Sequence, residues 1–352
     1  MDKNTFNEKQ TAEHQQNKQL NSAELADLFS NYLGDSLFCC VFKHYLQVVE
    51  DEEIRDYVKF ALELSTRHVK EIEAIFTMEH IPIPVGFGEQ DLRKDAPRLF
   101  SDMFMAFYIV QMSTSSLFTY GSAYSSATRQ DIVNYFRNCI NDSSETYERG
   151  LHILLSKGMD LSSPTIPYAK KVDFVEKKSF ISIITGRDRP LIANEIKHLQ
   201  YNINTNILGK SLMLGFSQVA SSTKIRKHFQ KGAQLSSNQI ESFSRHLTSQ
   251  DLPAPKLMDA HVTDSTTPPF SDKLMLYHGS LAGNIAVQNF GAALSQMLRH
   301  DLAAEFIKLI PLVGKYNNDG LNMMIERGWF EEPFTAPDRN ELAKSSPGTT
   351  LK

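Results

Sequence analysis

Apolar side chains recur at spacings of three and four residues along most of this chain, which is the period of a helix with one buried face. The pattern is clearest between residues 52 and 79, where the inward positions are Ile54, Val58, Ala61, Ser65, His68, Ile72 and Ile75. Alternation typical of strands is almost absent, and only the stretch 172–185 contains a short run that fits an extended segment. The pattern therefore predicts an all-α protein.

The helical pattern occurs twice. Residues 57–84 align without a gap with residues 228–255, and the register continues upstream and downstream. After one residue is lost in a loop, Phe100-Ser101-Asp102 meets Phe270-Ser271-Asp272. A repeat of this length is a whole domain with a core of its own, so we predict a tandem duplication.

Each repeat contains four helical segments, which we predict at 22–49, 52–79, 100–126 and 128–157, and again at 190–219, 222–249, 270–297 and 299–326. Two connections in each repeat are short turns. The connection between helices two and three is long and contains Pro82 and Pro84 in one copy and Pro253 and Pro255 in the other. Proline interrupts helices, and a connection this long can cross the height of a bundle. The prediction is two tandem ferritin-like four-helix bundles with one long crossover each.

The domain boundaries follow from the same pattern and from the polar ends of the chain. We predict a disordered tail at 1–19, a first bundle at 20–160, a linker at 161–188, a second bundle at 189–335 and a disordered tail at 336–352.

Composition restricts the class of protein. The chain is 41% hydrophobic and 22% charged, with a net charge of −4, so no general field attracts nucleic acid. The three cysteines form no disulfide or metal-binding pattern, which favours reduced thiols. No apolar run is long enough to cross a bilayer, and the first residues do not form a secretory signal. We expect a cytoplasmic protein without nucleic-acid binding or membrane insertion.

A metal centre is the most specific chemistry that such bundles support. Ferritin-like di-iron proteins use Glu-x-x-His motifs near the middle of inward helix faces. The chain contains one such motif, Glu195-x-x-His198, and it falls in the first turns of its helix. The sequence therefore predicts no catalytic, cofactor-binding or metal-binding residues and no cofactor.

His68 nevertheless lies on the inward face of its helix, where its equivalent in the second repeat is Gln239. Helical phasing places further polar residues at comparable heights, namely Ser65, Ser236, Cys39, Gln111 or Ser115, and Ser143 or Thr146. Buried polar groups must be paired, so we predict a polar layer with side-chain hydrogen bonds or ordered water. A satisfied structural histidine is favoured, and the alternative is the remnant of a metal site.

Two further segments leave alternatives open. The segment 186–190, with two arginines beside a helix start, fits either an anion site or a domain joint in which Asp188 caps the helix. The glycines of the third helix in the second repeat, Gly279, Gly283 and Gly291, fit either an interface or close packing within one bundle.

Several motifs resemble a known family. They are I-P-I-P and L-P-A-P in the crossovers, the paired F-S-D motifs, VDFVEKKSF in the linker and VTDSTTPPFSDKLM in the second repeat. Together they resemble a family of uncharacterised proteins from spore-forming Firmicutes whose domain has unknown function, over residues 20–335. That family is placed in the ferritin-like superfamily and is distantly similar to spore coat protein F. The resemblance implies the fold and a link to sporulation, but no catalytic residues.

These observations predict a non-enzymatic structural or interaction protein, associated with sporulation or the spore coat. It would bind a protein partner or associate with itself. The first alternative is a metal-binding ferritin-like protein with oxidase or metal-handling activity in the first bundle. The second alternative is a binder of apolar ligands that uses the gaps between helices.

Overall fold

Helices form nearly all the regular structure of the residues that the computed structural model describes, 18–181 and 189–345. The first repeat contains α1 (Ser22–Val48), α2 (Glu52–Met78), α3 (Asp102–Ser126) and α4 (Gln130–Ser156). The second contains α5 (Ala193–Val219), α6 (Thr223–Thr248), α7 (Asp272–Leu294) and α8 (His300–Ile325), and the short α9 (Arg339–Ser345) follows. Within the described ranges there is no strand, so the prediction of an all-α tandem fold is confirmed.

The paired F-S-D motifs define the start of the third helix in each repeat. Ser101 and Ser271 are the N-caps of α3 and α7, and each hydroxyl accepts a hydrogen bond from a backbone amide of the first turn. The carboxylate of Asp102 accepts hydrogen bonds from the amides of Glu50 and Asp51 in the α1–α2 turn. Asp272 makes the same contacts in the second repeat. The motif therefore joins the two helical hairpins of each bundle.

Antiparallel hairpins are the packing unit within each repeat. Helix α1 packs along α2 and α3 along α4, and the second repeat pairs α5 with α6 and α7 with α8. The predicted short turns explain these pairs. The long crossovers, residues 79–101 and 249–271, each contain one turn of 3-10 helix, at Glu89–Asp91 and Asp259–His261.

The crossover of each repeat ends against the other repeat. Leu92 forms an antiparallel bridge with Phe270, and Phe100 forms one with Val262. Phe100 aligns with Phe270 at an offset of 170 residues, and Leu92 aligns with Val262 at the same offset. The two bridges are therefore equivalent contacts across a pseudo-two-fold axis, as in the isologous interface of a symmetric dimer.

The side-chain contacts at the two caps follow the same symmetry. Ser101 Oγ lies 2.8 Å from His261 Nδ1, and Ser271 Oγ donates a hydrogen bond of 2.6 Å to Asp91 Oδ1. His261 and Asp91 occupy equivalent positions in the two 3-10 turns. Each repeat thus supplies part of the cap of the other repeat's third helix.

One apolar core runs continuously through both repeats, while a second cluster fills the far end of the first bundle. At the contact between the repeats, aromatic rings pack against one another, some edge to face and some stacked. These rings include Phe100, Phe104, Tyr108, Phe216 and Phe270. The repeats therefore share a buried interior.

Two local features differ from the sequence-based picture, and a third selects between two alternatives that the sequence left open. Lys178–Phe180, within the stretch expected to be extended, is one turn of 3-10 helix, and residues 182–185 lie outside the described ranges. Helix α9 lies in the segment predicted as a tail, where the carboxylate of Asp338 caps its first amides. Gly279 packs close to Met213 and Gly283 close to Asn317, which is close packing within the second bundle.

Candidate functional site

A network of buried charges lies in the middle of the first bundle, around His68. Its Nδ1 lies 3.2 Å from Asp35 Oδ2 on α1, and its Nε2 lies 2.9 Å from Asp142 Oδ2 on α4. The His68 and Asp35 side chains are 6% and 4% exposed. Both ring nitrogens of one buried imidazole are therefore held between two carboxylates.

Neighbouring polar groups complete the network. Asp35 Oδ2 also accepts hydrogen bonds from Asn31 Nδ2 at 2.9 Å and from the hydroxyl of Tyr120 at 3.4 Å. Asn31 donates a second hydrogen bond, of 2.6 Å, to the hydroxyl of Tyr135. Asp142 is also paired with Arg67 at the rim. The buried groups thus satisfy one another, as a low-dielectric interior requires.

The charges decide the protonation state of His68. Burial alone would lower the pKa of His68, but the negative charge of Asp35 and the hydrogen bonds to Asp142 and Asp35 outweigh burial and raise it well above its usual value. Burial opposes ionisation of Asp142, yet hydrogen bonds from His68 and Arg67 lower its pKa. The geometry therefore favours an imidazolium that donates from both nitrogens and has no lone pair for a metal ion.

A small cavity adjoins this network, and we call it chamber 1. Its volume is about 50 Å³, enough for one or two water molecules. The lining includes His68, Asp35 and Asp142 together with the hydroxyl residues Ser65, Ser113, Ser116, Ser143 and Thr146. The structure thus brings His68, Ser65, Ser143 and Thr146 together, as we predicted for the polar layer.

The other residues predicted at this height lie elsewhere. Gln111 and Ser115 on α3 line a cavity of the second repeat. Cys39 faces α2, with its Sγ 3.6 Å from Thr66 Oγ1. Helical phasing predicts how far along a bundle a residue lies, but not which bundle it faces. Here neighbouring faces of α3 point into different bundles.

The cavity of the second repeat, chamber 2, has a volume of about 60 Å³ and occupies the position equivalent to chamber 1. Its chemistry is different, because Asn206, Gln239 and Leu312 stand in the places of Asp35, His68 and Asp142. Leu312 is 51% exposed, and Gln239 Oε1 is buried without a hydrogen-bond partner among the described residues. Chamber 2 therefore has no counterpart of the ion triad that Asp35, His68 and Asp142 form in the first bundle.

A separate ion pair in the second repeat lies nearer the surface. Glu305, which stands in the place of Tyr135, contacts Ser242 and lies 2.7 Å from His246 Nε2. Burial opposes the ionised form of Glu305, but hydrogen bonds from His246 and Ser242 lower its pKa. The two bundles have thus diverged in where their charges are paired.

The Glu195-x-x-His198 motif has a structural role. The Glu195 carboxylate is fully buried, binds Arg189 through two hydrogen bonds of 2.8 Å, and accepts hydrogen bonds from the amides of Ile192 and Arg299. At the N3 position of α5 it therefore satisfies the backbone amide of the N-cap residue Ile192, and it links that end of the helix to α8. With Arg189 engaged by this carboxylate, the guanidinium is not available for an external anion. Asp188, the expected cap, lies outside the described residues.

Sequence reasoning missed Asp35, Asp142 and the two tyrosines that support them. A signal for Asp35 was present, because it lies one helical turn after Asn31 on a helix that is otherwise strongly apolar. A carboxylate on such a face needs a cationic partner. Asp142 gave no comparable signal, since α4 is rich in polar residues and the contact depends on the three-dimensional approach of α2 and α4.

The linker exposes an unusual amount of apolar surface. Six large apolar side chains that are exposed to solvent lie between residues 166 and 181, namely Ile166, Tyr168, Val172, Phe174, Val175 and Ile181. Tyr168 is 98% exposed and Phe174 is 85% exposed. Large exposed apolar side chains concentrated in one segment are typical of interaction sites.

Two negative findings apply to the described parts of the chain. No group of three or more histidine, cysteine, aspartate or glutamate residues there is arranged to hold a metal ion. None of the helices in residues 18–181 and 189–345 combines the length and the apolar character that crossing a bilayer requires.

The comparison with protein families matches both repeats. The family model described as "Protein of unknown function (DUF3231)" matches residues 9–172 and again residues 179–342. No curated protein and no solved structure matches the chain. Because the two matches cover most of the sequence, the chain belongs to the DUF3231 family of proteins of unknown function and contains two tandem copies of its domain.

Proposed function

We propose that this protein is a non-enzymatic interaction protein that acts inside sporulating cells, with the linker between its two bundles as the main binding surface. The observation that carries the proposal is the run of exposed apolar side chains from Ile166 to Ile181. Removing such side chains from water on binding a partner would stabilise a complex by about 25 cal/mol per Å².

The inner geometry of the first bundle supports a non-enzymatic role. His68 is enclosed by Asp35 and Asp142, and all three groups serve to neutralise one another. The place where a ferritin-like oxidase would hold its metal ligands is thus used for a structural ion network. The sporulation context rests on the resemblance of the linker and crossover motifs to the family from spore-forming bacteria.

The linker can be tested by comparing the full-length protein with a Tyr168→Ser/Val172→Ser/Phe174→Ser variant. A matched control, Ile307→Ser/Leu312→Ser/Ile325→Ser, removes three exposed apolar side chains from α8. We expect cross-linking in sporulating cells, followed by reconstitution with the purified partner, to give a complex that the linker variant loses and the control retains. If the linker variant keeps every complex of the wild type, or if the wild type remains monomeric and partnerless, the proposal is wrong.

A further inference from the structure

A large apolar cleft lies where α1 of the first repeat meets α7 and α8 of the second, and we call it the α1–α8 cleft. Its volume is about 600 Å³, within the ~300–1,000 Å³ range of ligand sites in proteins. Leu25, Phe29 and Leu33 line it from α1, while Leu321 and Met324 line it from α8. The cleft is thus about ten times larger than either chamber.

The polar groups of the cleft are all uncharged. They come from serine, threonine, asparagine and tyrosine side chains, including Ser30, Asn284 and Asn318, which are exposed. No charged side chain belongs to the described lining, so an ionised carboxylate or phosphate would find no counter-ion there. The cleft therefore suits a ligand with a long apolar part and a neutral hydroxyl or amide group.

The two repeats differ in the side chains that their first helices present to these clefts. A cleft of about 570 Å³ lies against α5 and is walled in part by the crossover residues 253–258, and Gln200 and Asn204 stand there in the places of Phe29 and Leu33. At these two positions α1 presents apolar side chains to its cleft, whereas α5 presents amide side chains, and charged residues such as Asp160 and Lys256 also line the cleft against α5.

The segment 330–336 forms one wall of the cleft. The ring of Phe334 lies 5.7 Å from Phe29 and 6.2 Å from Phe76, in edge-to-face contacts, and still leaves 45% of its side chain exposed. The carboxylate of Glu331 accepts hydrogen bonds of 2.8 Å from the amides of Val85 and Gly86. In the equivalent segment of the first repeat, Leu161 and Pro164 replace Glu331 and Phe334, so the clamp belongs to this cleft alone.

We propose that the α1–α8 cleft binds an uncharged lipid-like molecule and that the segment 330–336, clamped by Glu331, is its lid. The residues that precede α1 are the alternative occupant within this chain. Residues 1–17 contain only Met1 and Phe6 as large apolar residues and are otherwise mostly polar. Their composition matches an apolar cleft poorly, and the lipid is favoured for that reason.

The test uses delipidated full-length protein and the uncharged fluorescent probe N-phenyl-1-naphthylamine, with monooleoylglycerol and oleate as competitors. Ala26→Trp places a bulky ring at an exposed position of the cleft, and Gln47→Trp places the same ring on α1 outside it. We expect saturable probe binding, displacement by monooleoylglycerol at lower concentration than by oleate, and loss of binding in Ala26→Trp but not in Gln47→Trp. Circular dichroism confirms that both variants fold.

The lid has its own readout. Glu331→Ala removes the clamp, so we expect faster association and faster dissociation of the probe in stopped-flow measurements. Several results would overturn the proposal: no probe binding, equal binding in the two tryptophan variants, tighter binding of oleate, or unchanged rates in Glu331→Ala. Binding that appears only after deletion of residues 1–17 would identify that segment as the occupant of the cleft, and this result would also overturn the proposal.

Discussion

Tyr108 and His278 occupy the same position in the two repeats, and they are hydrogen-bonded to each other. Tyr108 Oη lies 2.9 Å from His278 Nε2, and both side chains are fully buried. Positions that contact their own equivalent lie on the pseudo-two-fold axis. In a dimer of identical chains such positions carry the same residue, whereas the duplicated chain can place a donor opposite an acceptor. Burial lowers the pKa of His278 to about 3, so its neutral ring can accept a hydrogen bond from the tyrosine hydroxyl.

Removal of one partner of this pair should cost more than removal of both. We expect Tyr108→Phe to lower the free energy of unfolding by about 1–3 kcal/mol, because it leaves His278 buried without a partner for Nε2. The double variant Tyr108→Phe/His278→Phe replaces both polar groups by rings of similar shape and should recover much of that loss. Urea denaturation of the single and double variants measures the coupling, and strictly additive losses would argue against the bond.

The ion network predicts a large effect at His68. We expect His68→Leu to destabilise the protein by about 3–5 kcal/mol, since Asp35 and Asp142 would lose their common cation in a buried place. Gln239→Leu, at the equivalent position of the second repeat, is the control and should change stability little, because no carboxylate depends on Gln239. Thermal and urea unfolding of both variants give the comparison, and similar effects at the two positions would contradict the network.

The network also predicts how the stability of the first bundle depends on pH. The pKa of His68 is raised in the folded state, so its contribution is complete below the unfolded value of about 6.5 and is lost as pH rises through the folded pKa. The pKa of Asp142 is lowered, so its contribution is present above the unfolded value of about 3.8 and is lost as pH falls through the folded pKa. The difference in unfolding free energy between wild type and His68→Gln should therefore be largest between these two values and should shrink toward alkaline pH. A difference that grows with alkaline pH would show that His68 is not the stabilising cation.

The shared core and the exchanged cap contacts predict that neither repeat is stable alone. We expect residues 1–181 and 182–352, expressed separately, to aggregate or to remain partly unfolded, because separation exposes the aromatic contacts between the repeats. Co-expression should restore a one-to-one complex. Size-exclusion chromatography and circular dichroism provide the measurement. A folded, monomeric first repeat would mean that the interface between the repeats is a minor contact.

The helices and the duplication were predictable because they depend on local signals that repeat along the chain. The spacing of Ile54, Val58 and Ala61 reflects the period of a helix. The prolines of the crossovers interrupt helices. Both signals depend on backbone chemistry within a few residues. The ion triad was only half predictable. His68 stands out on its own helix, but its partners come from α1 and α4, more than 30 residues before it and more than 70 after it. The pairing of Tyr108 with His278 depends on how two whole bundles pack, which no local pattern contains.

The middle of the first bundle is an ion network, and we predict that it does not bind a metal ion. Elemental analysis of metal content per chain, on protein purified without chelator and after anaerobic loading with ferrous, manganous and zinc ions, tests it most directly. We expect no stoichiometric metal under any of these conditions and no difference between wild type and a folded His68→Gln variant. One or two tightly held ions per chain, lost in the variant, would contradict it and would make the first bundle a metal site.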